Sequence, residues 1–205
     1  MKRILFVILL GFSLACHAAQ QAPDTPGKNP SAQPKHDGAD CGMLYGIGHF
    51  LSICAPHGWI LDNSVLSEQH IYAVFYPKGS SFSIAKDTGT FMYANTARRE
   101  ESSTIENFMK ADEAEARQQY PQAVIQKGKL IPIKKETPAP VLLFLPGGFG
   151  RYEAVAYIES PKVITMLVMT SKSKKSFDKD YPAFEELVKS YVFFGADVTI
   201  NGQKK

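Results

Sequence analysis

No histidine follows His70 in this 205-residue chain. An apolar run ending in a Gly-rich loop, "VLLFLPGGFG" at residues 141–150, is where an esterase-like oxyanion segment would be sought. That chemistry needs a G-x-S-x-G elbow, an acid and a later histidine. The near match "GFSLA" (Gly11 to Ala15) lies in the N-terminal leader, and "GSSFS" (Gly79 to Ser83) lacks its second glycine. No base lies downstream of the loop, so an α/β-hydrolase is excluded. A phosphate cradle fails as well, because no Lys-Ser or Lys-Thr follows a spaced glycine pair and "GFGRYE" breaks G-x-G-x-x-G at its last place.

Net charge is also in short supply. Removing Lys2 and Arg3 with the leader from the 23 basic residues leaves a near balance with the 20 acidic ones, about +1. This argues against a nucleic-acid partner. Long apolar runs are missing beyond the N-terminus. There, Lys2 and Arg3 precede an apolar stretch from Ile4 to Leu14 and small residues from Ala15 to Ala19, the pattern of a secretory signal over 1–19. Two exits compete. Cleavage after Ala18 releases a soluble chain, whereas reading "SLAC" as a lipoprotein box makes Cys16 a lipidated N-terminus. Ser13 stands where that box usually has leucine. Membrane contact is expected only through such an anchor, and the location is the periplasm or outside the cell.

Segment 20–40 is rich in Pro, Gln, Ser, Gly and Lys and reads as a linker with little to bury. As a random coil it would span roughly 25–30 Å. The remainder, with a hydrophobic fraction of 44% for the whole chain, reads as one globular domain over 41–200 and a tail over 201–205.

Only two cysteines lie outside the leader, Cys41 and Cys54, and in an oxidising compartment such a pair reads as a disulfide. Folding "CGMLYGIGHFLSIC" about Ile47 and Gly48 sets Gly46 against His49, Tyr45 against Phe50, and Cys41 against Cys54. The cysteines then occupy a non-hydrogen-bonded pair, where opposing side chains come closest. Leu44, Leu51 and Ile53 share the other face. Ile47 suits a type I′ turn poorly, so a longer loop is an alternative. The rivals are two free thiols, or a metal held by Cys41, His49, Cys54 and His57, whose spacing matches no common zinc site. His57 and His70 otherwise read as isolated polar residues, and no cofactor motif is present.

Farther along, "APHGW" is a turn leading to a buried Trp59. "HIYAVFY" is a strand, and "SFSIAK" and "TFMYANT" flank a turn at Asp87-Thr88-Gly89. Ser103 and Glu106 form a capping box for a helix whose loose apolar stripe is Ile105, Phe108, Met109, Ala116 and Tyr120. Arg98, Arg99, Glu100 and Glu101 read as its solvated entrance. "AVIQKGKLIPIKK", interrupted by Pro132, is placed near a sheet edge. "VLLFL", "YEAVAYIE" and "VITMLVMTS" form an antiparallel meander, which makes "PGGFG" a hairpin turn. "DYPAFEELVKSY" is a second helix, capped by Asp180 with Pro182 in its first turn, and "VFFGADVTI" is the last strand. The expected class is α+β, a single-domain α/β/α sandwich with a central antiparallel sheet and two main helices.

The "ICAPHGW" turn (Pro56, Gly58, Trp59) and the ending "FEELVKSYVFF" (Ser190, Tyr191) resemble the DcrB/PsbP-like superfamily over roughly residues 48–195. The resemblance implies an α/β/α sandwich acting as an accessory or partner-binding module, with no catalytic residues to carry over. On these grounds the chain reads as an exported, non-catalytic envelope protein that binds an envelope or periplasmic protein, in one narrower form as an immunity protein against a periplasmic toxin. Candidate partner contacts are Phe149 and the loop lysines Lys172, Lys174 and Lys175. The alternative is a binder of lipid or another small hydrophobic ligand, using Tyr72, Phe75, Tyr76, Phe91 and Tyr93, unless these fill the core. A secreted enzyme with a site scattered in sequence is the third reading.

Overall fold

In a computed structural model, residues 40–46, 49–64, 71, 73–100, 104–134, 136–147 and 150–195 are described. The leader with Cys16, most of the linker, Ile47 and Gly48, His70, Tyr72, Glu101, Ser103, Phe149 and the segment 196–205 lie outside them.

The hairpin forms in the expected register. Strand β1 (Cys41–Gly46) pairs antiparallel with β2 (His49–Cys54), from Gly46 against His49 out to Cys41 against Cys54. Ala55 N–H donates to the Asp40 carbonyl at 2.8 Å, so 40/55 is a hydrogen-bonded pair and 41/54 is not. The cysteines are bridged, with Cα atoms 3.9 Å apart. Both sulfurs are thereby used, which overturns the metal and free-thiol readings.

A further strand, β10 (Val192–Gly195), joins β2 to complete a three-stranded sheet in the order β1-β2-β10. The central sheet has seven antiparallel strands: β3 (Trp59–Asp62), β4 (Ala73–Pro77), β5 (Thr90–Arg98), β9 (Val163–Ser171), β8 (Tyr152–Glu159), β7 (Val141–Leu145) and β6 (Val124–Lys127), in that spatial order. The meander β7-β8-β9 is present, and "PGGFG" does join paired strands, Gly150 supplying a φ of 65°. β6 lies at an edge, as Pro132 beyond it requires. Every residue of β9 is buried, which suits its central place and its unbroken apolar run.

Alternation divides the central sheet into two faces. Met92, Ala94, Ala154, Ala156, Leu167 and Met169 point to one core, which α3 (Lys174–Lys189) and the inner residues Leu44, Leu51 and Ile53 of the small sheet cover. The small sheet fits closely because Gly42 has no side chain: a Cβ there would lie 2.9 Å from Leu61 Cδ1. Phe177, Phe184, Leu187 and Val188 are the buried stripe of α3, and burying each such side chain contributes about 1.5–3 kcal/mol. The opposite sheet face meets α1 (Phe82–Thr88), whose Phe82 ring contacts Phe91 edge-on at 5.3 Å, and α2 (Ile105–Gln119).

Three expectations are corrected. "SFSIAK" is helical, because the Ser81 side chain accepts from Ile84 N–H and caps a turn that its period-two pattern conceals. The cap of α2 is Thr104, which accepts from Asn107 N–H at 3.2 Å, one residue after the proposed box. Helix α3 begins at a Ser173 cap, so Asp180 and Pro182 lie inside it and Lys174 and Lys175 stand in its first turn instead of a loop. Pro182 is tolerated within α3 on its exposed side.

Candidate functional site

Among the described residues, the small sheet has one buried face and one open face. Leu44, Leu51 and Ile53 point inward at 5%, 0% and 0% exposure, so their neighbours on the same strands must point outward. Met43 and Tyr45 on β1 are 46% and 52% exposed, and Val192 and Phe194 on β10 are 42% and 56% exposed. Phe50 lies between them on β2. Tyr45 and Phe50 stack at 4.7 Å with their planes 14° apart, and Phe50 meets Phe194 at 5.0 Å. Alternation along β10 sets Phe193 against the core and Phe194 in the outer row, and the register shifts between Phe193 and Gly195. An aromatic row therefore crosses all three strands beside Met43 and Val192. With strands about 20 Å long and about 4.8 Å apart, the face measures roughly 300 Å², the size at which an exposed apolar patch usually has a purpose. The sulfur bridge holds its register at one end.

The residues named earlier as partner contacts are described only in part. Lys172, Lys174 and Lys175 are exposed, but Lys174 Nζ is engaged by Asp178 at 2.6 Å within α3, and Phe149 lies outside the described residues. Arg99 pairs with Glu159 at 2.6 Å, which ties the end of β5 to β8 instead of marking a solvated helix entrance. His49 is buried, its Nε2 3.4 Å from Thr96 Oγ1. Of the aromatics proposed for a hydrophobic ligand, Phe75 and Phe91 are at 0% and 2% exposure and fill the core.

A second cluster went unnoticed in the sequence. On the sheet face beneath α2, the Tyr157 hydroxyl donates to Asp112 Oδ2 at 2.5 Å, with Tyr157 fully buried. Burial, reinforced by Glu115, raises the Asp112 carboxyl to about 6 although the Tyr157 hydrogen bond opposes the shift. Burial and the Asp112 charge push the Tyr157 phenol well above its usual range. Four residues before Tyr157 on β8, Glu153 is raised too, by burial first. Arg151 offsets part of that, as does the Thr170 hydroxyl, which faces the carboxyl without meeting full hydrogen-bond geometry. Tyr93 nearby is raised by burial and by the Glu153 and Asp112 charges. Asp112 had left a trace: it occupies the gap in the stripe between Phe108 and Ala116, where helical spacing calls for an apolar residue. This pair binds α2 to β8. Among the described residues, no group of three or more His, Cys, Asp or Glu side chains is placed to hold a metal ion, and no helix is long and apolar enough to cross a membrane.

No protein-family model matches the sequence, and no curated protein matches it. Among solved structures, the chain is similar to the cyanobacterial PsbP (CyanoP) of Synechocystis, at 12% identity over 80% of this chain and 98% of that one, with a TM-score of 0.48. It is similar in the same degree to the Ran-binding protein Mog1p of Saccharomyces cerevisiae, at 12% identity over 76% of this chain and 95% of that one, also with a TM-score of 0.48.

Proposed function

We propose that this chain is an exported protein-binding module and that it meets its partner with the outer face of the three-stranded sheet. The supporting observation is the row Tyr45–Phe50–Phe194, apolar, half open to solvent and fixed in register by a disulfide. Tyrosine and phenylalanine are favoured at interface centres because they supply large contact area at low entropic cost. The buried Asp112–Tyr157 pair serves as an internal tie and needs no substrate to account for it. The partner belongs to the envelope. An immunity role is one form such a contact takes, and its discriminator is whether cells lacking this chain become sensitive to toxin-producing neighbours.

The test is affinity capture after crosslinking in the envelope, comparing the native chain with a double variant, Tyr45→Ser and Phe194→Ser. Both positions are about half exposed, but each gives up one ring contact with Phe50, so stability should fall by about 1–3 kcal/mol and the variant should stay folded. One stoichiometric partner should be captured by the native chain and lost from the variant. Capture that the variant retains undiminished, or capture of nothing by either, refutes the reading.

A further inference from the structure

Among the described residues β1 forms one edge of the small sheet, and its own sequence lacks the protection that edges normally carry. Its sequence "CGMLYG" has no charge and no proline. The two edges of the seven-stranded sheet differ: β3 is four residues long and ends in Asp62, while β6 carries Lys127 and is followed by Lys129 and Pro132.

The hydrogen-bond phase of β1 is set by the Ala55-to-Asp40 bond. Even-numbered residues direct their backbone groups to β2, so Cys41, Met43 and Tyr45 direct theirs to the open edge. The segment Gly42-Met43-Leu44-Tyr45-Gly46 is also symmetric in character about Leu44. An antiparallel copy centred there sets glycine against glycine, Met43 against Tyr45 twice, and Leu44 against itself. Met43 and Tyr45, the residues whose backbone groups are available, then form the hydrogen-bonded pairs. A two-fold contact requires this kind of self-complementarity.

We infer that β1 pairs with β1 of a second copy, producing a continuous six-stranded sheet. The inference rests on the proposed use of the outer face and explains how that face is enlarged toward the size of a specific interface. Alone it offers roughly 300 Å², whereas a specific interface needs about 800 Å² per partner. Pairing doubles the platform to roughly 600 Å² and extends the row from Phe194 through Phe50 and Tyr45 to Met43 of the second copy.

The experiment is sedimentation equilibrium of the purified oxidised chain across a wide concentration range, with two variants. Met43→Lys sets a charge at the centre of the joint, on a side chain already exposed. Met43→Pro removes an edge-facing N–H while leaving the bonds to β2 intact. The native chain should reach twice its monomer mass, and each variant should associate about a hundredfold more weakly, with thermal unfolding of the monomer unchanged for Met43→Lys. A native chain that stays monomeric, or a dimer that neither variant weakens, overturns the inference. The outcomes separate from those of the capture test: a monomer that still loses its partner on Tyr45→Ser and Phe194→Ser substitution sinks the pairing alone.

Discussion

Replacing Asp112 with asparagine should stabilise this protein at neutral pH and leave it nearly unchanged in acid. The side-chain amide of the variant would still accept the Tyr157 hydroxyl, so the change isolates charge from hydrogen bonding. The Asp112 carboxyl is raised from 3.8 to about 6, chiefly by burial, with Glu115 adding and the Tyr157 hydroxyl subtracting. A group whose folded value is raised contributes stability that is fully present below about 3.8. That stability declines as the unfolded chain ionises and is lost once pH passes about 6. Roughly two pH units at about 1.4 kcal/mol each give about 3 kcal/mol, or some 5–10 °C of melting temperature for a domain of this size. Urea unfolding followed by Trp59, the only tryptophan and 6% exposed, reads the effect directly. At pH 7.5 Asp112→Asn should exceed the native protein by about 2–3 kcal/mol, and at pH 4 the two should agree within about 0.5 kcal/mol. The Asp112 charge also helps to raise the Glu153 carboxyl, so its removal relieves Glu153 as well and adds to the gain at neutral pH in the same direction. Equal differences at the two pH values, or a variant weaker at pH 7.5, would refute the assignment of a buried, destabilising charge.

Reducing the Cys41–Cys54 bridge, which closes a separation of 13 residues, should cost about 3 kcal/mol, read as a lower urea midpoint in the presence of reductant. Gly147→Ala should destabilise by about 1–3 kcal/mol, because the added Cβ overlaps the Gln122 backbone carbonyl and the β7–β8 hairpin must shift; a melting curve matching the native one would contradict that crowding.

How much of this was legible beforehand depended on the range of the determining contacts. The β1–β2 register follows residue by residue from two cysteines and period-two alternation, both local. The buried meander and the edge position of β6 follow from apolar runs and one proline. Sheet membership is different: whether β10 joins the central sheet or β2 is decided by contacts about 140 residues apart in the sequence, so the second sheet left no local mark. The start of α3 is not legible because Asp180-Tyr181-Pro182 imitates a cap followed by a first-turn proline, while the true first turn is lysine-rich and runs against the helix dipole. The aromatic row was hidden for a related reason. Tyr45 and Phe50 were placed opposite each other, but which face of their hairpin stays open depends on what packs against Leu44 and Leu51. Asp112 alone could have been suspected, as a carboxylate standing in an apolar stripe.

The sulfur bridge also determines how a mechanical pull enters the domain. Any tension arriving through residues 1–40 reaches Cys41 first and crosses to Cys54 through covalent bonds. Residues 42–53 are bypassed, so β1 cannot be peeled from β2 one hydrogen bond at a time from that end. Force passes instead toward Ala55 and Trp59 at the start of the central sheet. A chain held by its N-terminus would keep its aromatic face intact under loads that would unzip an unbridged hairpin.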